Sequence, residues 1–153
     1  MFVIDTLLAN PYRALDDWGF ITKIDSSSLR LAPIYDFGGS LLPLLSDEEM
    51  KVFLNTENRT ADKTYISKFF PKLSCSVEAH NKKEDIFRLL DSEYREDCTA
   101  ALNRILPKMD MKKISDILDD TPIISEIRRN FLKKCITERN EFILNEAYAA
   151  GIR

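Results

Sequence analysis

The chain predicts an α+β fold, mostly α-helical, with a small β-hairpin near the N-terminus. Three observations carry that reading. Trp18 to Ile24 and Leu29 to Ala32 alternate or run apolar, and Asp25-Ser26-Ser27-Ser28 between them supplies turn chemistry. From Lys82 onward the apolar positions keep a helical period instead. A length of 153 residues, 44% hydrophobic and 31% charged, is that of one soluble globular domain with a sizeable core.

Taken in order, Phe2, Val3, Ile4, Leu7 and Leu8 have helical spacing that stops before Asn10-Pro11. Two turns of helix are marginal in water, so this segment must dock on the rest. The hairpin follows, and then Leu41-Leu42-Pro43-Leu44-Leu45, an apolar run broken by proline. Ser46 with Glu49 forms a capping box, which places a helix from Asp47 to about Leu54. Asn55 to Asp62 is polar and loop-like, and Thr64 to Leu73, stopped by Pro71, reads as a short helix. Ile86, Phe87, Leu89 and Leu90 give one apolar face; Tyr94, Cys98, Ala101, Leu102, Ile105 and Leu106 give another before Pro107. Ile114, Ile117 and Leu118 mark a short helix ending at Asp119-Asp120-Thr121-Pro122. Ser125 opens the last and longest helix, whose apolar positions Ile127, Phe131, Cys135, Phe142 and Ile143 run to about Ala149, with Gly151 ending it.

Composition narrows the function classes. A net charge of −3 gives no support to nucleic-acid binding, and the pairs Arg128-Arg129 and Lys133-Lys134 read as solvated helix faces. Cys75, Cys98 and Cys135 are widely spaced and odd in number, and with the single His80 they make no zinc set, so buried thiols are expected. No apolar run reaches the 18 residues of a membrane span, and Asp5 interrupts an N-terminus that lacks a positive region. The expectation is a cytoplasmic protein with neither membrane nor nucleic acid as partner.

The hairpin supplies the chemistry. It would carry its flanking loops back to one end and bring Asp16 and Asp17 toward Asp36, and clustered carboxylates suit a hard cation such as Mg²⁺. The alternative is that Asp16 and Asp17 only cap a turn before the first strand.

The same stretch resembles the catalytic segment of HipA-like serine/threonine kinases, the bacterial toxin kinases of toxin–antitoxin modules. Their pattern is approximately N-x-D-R-H-x-x-N-x-G-F, a hairpin, then L-A-P-x-Y-D-[FL]. Asn10, Arg13, Gly19 and Phe20 match the first part, and Leu31-Ala32-Pro33-Ile34-Tyr35-Asp36-Phe37-Gly38 matches the second. Ile114 to Leu144 also resembles the family's C-terminal helices. The resemblance implies that residues 1–153 form the larger C-terminal lobe of a kinase-like fold, with the N-lobe absent. It implies Mg²⁺ as cofactor, held by Asp36 at the family's metal-binding Asp and by Asp17 in place of a metal-ligand Asn. Tyr12 stands at the family's base position and Ala14 at its His, so the catalytic set is not intact; Arg13 is kept and reads as structural, with Asp16 and Asp36 as its nearest charge partners.

The nucleotide half is not written in the sequence. Gly19, Gly38, Gly39 and Gly151 form neither G-x-G-x-x-G nor G-x-x-x-x-G-K-[ST], and nine residues before Asn10 leave no room for a V-A-I-K-like strand. An ATP site is therefore only half present. The expected function is a degenerate HipA-like kinase lobe, a pseudokinase inactive alone and acting as a binding module. Two alternatives stand beside it: the C-lobe of a split kinase completed by an N-lobe chain, and a non-enzymatic helical interaction scaffold. The expected partner is a protein (antitoxin-like, an N-lobe chain, or a second copy in a homodimer), docking at the lobe junction near Phe2 to Leu8, Trp18, Phe20 and Ile34, some of which must pack into the core.

Overall fold

The computed structural model describes residues 1–10, 13, 15–24, 28–55 and 86–151. Among these, seven α-helices accompany one two-stranded sheet. Helix α1 (Phe2–Leu8) leads through a 3₁₀ turn (Leu15–Asp17) into strands β1 (Phe20–Thr22) and β2 (Leu29–Leu31). Helices α2 (Asp47–Leu54), α3 (Ile86–Leu90), α4 (Arg95–Ile105), α5 (Met111–Asp119), α6 (Glu126–Arg139) and α7 (Asn145–Gly151) follow. The expected helix between Thr64 and Leu73, together with Cys75 and His80, lies outside the described residues.

The core forms where these helices converge on α6. Helix α6 packs against α2, α5 and α1, while α7 closes on α3 and α4. Phe131 of α6 is fully buried and meets Phe53 of α2 edge to face, ring centroids 5.1 Å apart. Val3 and Leu7 bring α1 into the same cluster as Met50, Ile86, Leu90, Leu102 and Leu144. The short first helix is thus secured by docking, as its length requires.

Local chemistry sets the helix starts. Ser46 accepts from the Glu49 backbone N–H, and Glu49 Oε2 accepts from the Ser46 backbone N–H at 2.8 Å, completing the capping box. Asp110 caps α5 by accepting from the Lys113 N–H at 3.0 Å, and Ser125 caps α6 through the Arg128 N–H at 3.1 Å.

The long C-terminal helix departs from the expected unbroken run. A π-helical turn, Asn140–Leu144, separates α6 from α7. The buried positions explain it. Cys135 and Arg139 are four apart, Leu144 comes five later and Ala147 three after that, all of them buried. The extra residue turns Leu144 inward and leaves Phe142 and Ile143 at the core edge. Gly151 closes against Thr99, where a Cβ would stand 3.0 Å from Thr99 Oγ1. It is the last residue of α7, as expected, and its lack of a side chain also serves close packing.

The basic pairs are not merely solvated. Arg128 donates to the Leu45 carbonyl, and Arg129 donates to those of Leu118 (3.0 Å) and Thr121 (3.3 Å). Lys133 binds both oxygens of Asp119, and Lys134 lies 5.2 Å from the centre of the Phe53 ring. All four cations tie α6 to the segments before it, and the two arginines do so through carbonyls at the ends of neighbouring elements, which lack helical partners.

The hairpin is antiparallel, with Phe20 opposite Leu31, Ile21 opposite Arg30 and Thr22 opposite Leu29. It is shorter than the apolar pattern predicts, and all six strand residues are exposed. Among the described residues no helix is long and apolar enough to cross a membrane.

Candidate functional site

The site grows from the C-terminal end of α1. Ala9 takes a left-handed conformation (φ 52°) and turns the chain, and Asn10 follows it, buried. The Asn10 side-chain amide donates to Asp5 Oδ1 at 2.9 Å. Arg13 completes the cluster. Its Nε donates to Asp5 Oδ2 at 3.0 Å and its Nη2 to Asp5 Oδ1 at 2.7 Å, a two-pronged pair with both side chains buried.

The remaining corner of the guanidinium reaches both loops that flank the hairpin. Nη1 donates to the Tyr35 carbonyl at 2.5 Å and stands 4.0 Å from Asp17 Oδ2. The Arg13 Cζ lies 4.9 Å from the centre of the Phe37 ring. The Tyr35 hydroxyl crosses back to donate to the Asp16 carbonyl at 2.6 Å. Two loops 19 residues apart are therefore fastened at one point. The Arg13 pKa is raised, first by its hydrogen bonds to Asp5, against the desolvation of burial, with the charges of Asp5, Asp17 and Asp36 adding to the rise.

Asp17 thus faces the guanidinium at 4.0 Å and Asp36 acts on it through charge alone, whereas Asp16 contributes its backbone carbonyl and keeps its side chain exposed. Asp36 has φ 55°, a region that aspartate tolerates better than most residues, and its Oδ1 lies 3.4 Å from the Gly38 N–H. Tyr12 and Ala14 lie outside the described residues. The expected partner of Arg13 is corrected: the strong pair is Asp5, not Asp16 or Asp36. Asp5 was legible only as an interruption in an apolar helix. A lone acid on a face that must dock requires a partner for its charge, a signal that could have found it.

A divalent cation fits this arrangement in one form. Among the described residues no group of three or more acids, histidines or cysteines is gathered as a cage. Mg²⁺ asks for less, because it is ordinarily held by one or two carboxylates together with waters and substrate phosphates. Asp17 and Asp36 are carboxylates on the two loops that flank the hairpin.

A helical body with an exposed hairpin whose two acidic loops meet at an arginine is the architecture of a kinase-related domain, and comparison bears this out. No protein-family model matches the chain. Over 152 residues it is 36% identical to the serine/threonine-protein kinase CtkA of Helicobacter pylori (strain J99), a match covering 99% of this chain and 46% of that protein. The crystal structure of a Helicobacter pylori proinflammatory kinase CtkA superposes with a TM-score of 0.81 at 34% identity, covering 99% of this chain and 54% of that one. The chain is homologous to a serine/threonine kinase over nearly its whole length, and it spans about half the length of that relative.

Proposed function

We propose that this chain is the C-terminal lobe of a HipA-like serine/threonine kinase, with a degenerate catalytic loop that leaves it a binding module when alone. The observation that carries the reading is the meeting of the Asp17 and Asp36 loops at Arg13, within a chain 36% identical to a kinase. Phosphoryl transfer is mainly positioning and charge neutralisation, and Asp17 and Asp36 would hold the Mg²⁺ that neutralises phosphate oxygens. Tyr12 stands where the resemblance puts the base. A phenol with a pKa of about 10 is no base at neutral pH, and loss of a general base costs about 10²–10⁴ in rate.

A second reading, a split kinase completed by a separate N-lobe chain, is favoured by one feature. The hairpin presents Phe20, Leu29 and Leu31 to solvent at 58%, 65% and 54% exposure, an apolar surface suited to a protein partner or a second copy. An antitoxin-like partner and a cytoplasmic setting belong to the same proposal.

Two measurements test it. The chain incubated with γ-labelled ATP and Mg²⁺ is expected to transfer no label; transfer by the wild-type chain overturns the claim of inactivity. Titration with Mn²⁺ is expected to show weak, saturable binding that Asp36→Ala abolishes, and equal binding by both proteins overturns the metal pair.

A further inference from the structure

Helix α1, the end of α4 and the start of α5 border a groove that the Arg13 cluster does not use. Its volume is about 550 Å³, and Ile4, Leu7, Ile105, Met109 and Ile114 give it an apolar lining. The charges along it are unequal: Arg104, Lys108 and Lys113 stand against one acid, Asp110. That acid is already engaged, since Oδ1 accepts the Lys113 backbone N–H at 3.0 Å and Oδ2 lies 3.7 Å from Lys113 Nζ. Arg104 and Lys108 are exposed and have neither a hydrogen bond nor an ion pair among the described residues. The helix dipole accounts for Arg104, in the last turn of α4. It does not account for Lys113, in the first turn of α5, where the dipole opposes a cation.

We propose that this groove receives an acidic amphipathic helix of a partner protein, with apolar residues against Ile4, Met109 and Ile114 and carboxylates on Arg104 and Lys108. Charge complementarity selects that occupant: an apolar strip edged by uncompensated cations, in a chain whose net charge is −3. The groove is open rather than enclosed, whereas small-molecule sites bury most of their ligand. No aromatic residue lines it, so nucleic-acid bases have nothing to stack on. Its three cations fall short of the roughly four to eight that make a polybasic membrane patch. The groove shares no residue with the hairpin or with the Asp17 and Asp36 loops, so the assignment stands whether or not those loops hold a metal.

The test is fluorescence anisotropy of the full chain with a labelled synthetic helix carrying leucine at i, i+3, i+4 and i+7 and glutamate elsewhere. Saturable binding is expected. It should weaken about tenfold in the double variant Arg104→Glu with Lys108→Glu, because two exposed ion pairs become repulsions. Circular dichroism checks the fold; where that variant does not fold, Arg104→Gln with Lys108→Gln should weaken binding about threefold. In ¹³C-methyl methionine spectra the peptide should shift Met109 and leave Met50, which is fully buried, in place. No binding, equal binding by the folded variants, an unshifted Met109, or equal binding of a peptide with the same composition and scattered leucines overturns the proposal. So does tighter binding to phosphatidylserine vesicles or single-stranded DNA, which gives the cations to that ligand instead. A wild-type dimer that the charge variant disperses also overturns it, by seating a second copy in the groove.

Discussion

Phe131, midway along α6, is fully buried against Phe53, whereas Phe20 in β1 is 58% exposed and meets Trp18 edge-on at 5.9 Å. The same side chain is used in two different ways. In the helical body, apolar residues from all seven described helices share one cluster, and the starts of α2, α5 and α6 are capped by serine or aspartate. In the hairpin region no strand residue is buried, and the structure depends on hydrogen bonds that radiate from Arg13. The body derives stability from apolar area; the hairpin derives position from a buried ion pair and leaves its apolar face available. Removing Arg13 or Asp5 alone therefore disorganises the site region more than removing any hairpin side chain, since a buried charge left without its partner is strongly unfavourable.

That contrast can be broken at its strongest point first. Phe131→Ala should lower stability by about 3–5 kcal/mol, because it leaves a cavity beside Phe53 in the most enclosed part of the body. Denaturant melts followed by circular dichroism measure it; a loss below about 1 kcal/mol would mean that the core closes over the gap and is looser than its burial indicates.

A smaller effect distinguishes the charges buried in the body from those at the hairpin. Glu138 is buried, and its Oε2 has no hydrogen-bond partner among the described residues. Burial raises its pKa, nearby Lys134 works against the rise and Glu141 adds to it. The folded state therefore holds the proton more tightly than the unfolded state. The stability linked to this group is complete below its ordinary pKa of 4.5 and is lost as pH rises through the raised folded value. Glu138→Gln should stabilise the protein at pH 7 by on the order of 1 kcal/mol. The advantage should vanish in melts below about pH 4. An advantage independent of pH would show that packing, not charge, separates the two side chains.

The smallest effect is expected at the hairpin. Leu31→Ser should change stability by less than about 0.5 kcal/mol, since the side chain is already exposed. It should nevertheless reduce any self-association seen by light scattering at micromolar concentration. A loss comparable to that of Phe131→Ala would show that the hairpin face is packed in solution and would erase the difference between the two regions.

Legibility followed distance along the chain. The capping box at Ser46 and Glu49, the cap at Ser125, the boundaries of α1 and α2 and the end of α5 were readable because each depends on groups within four residues of one another. The hairpin was readable from its turn residues, and the approach of the Asp17 and Asp36 loops followed from pairing the strands. Its exposure was not readable, because alternating apolar residues show that a strand has a face without showing what covers it.

The amino-acid sequence by itself determined where helices begin, where the chain reverses, and which carboxylates flank that reversal, since these are local consequences of hydrogen-bond spacing and side-chain period. Only the tertiary structure decided that Asp5 pairs with Arg13, that Arg139 donates to the Thr6 carbonyl from 133 residues away, and that α6 takes in an extra residue before Leu144. Buried charges and orphaned carbonyls must be satisfied wherever packing leaves them, and periodicity in one segment carries no record of which distant group will arrive.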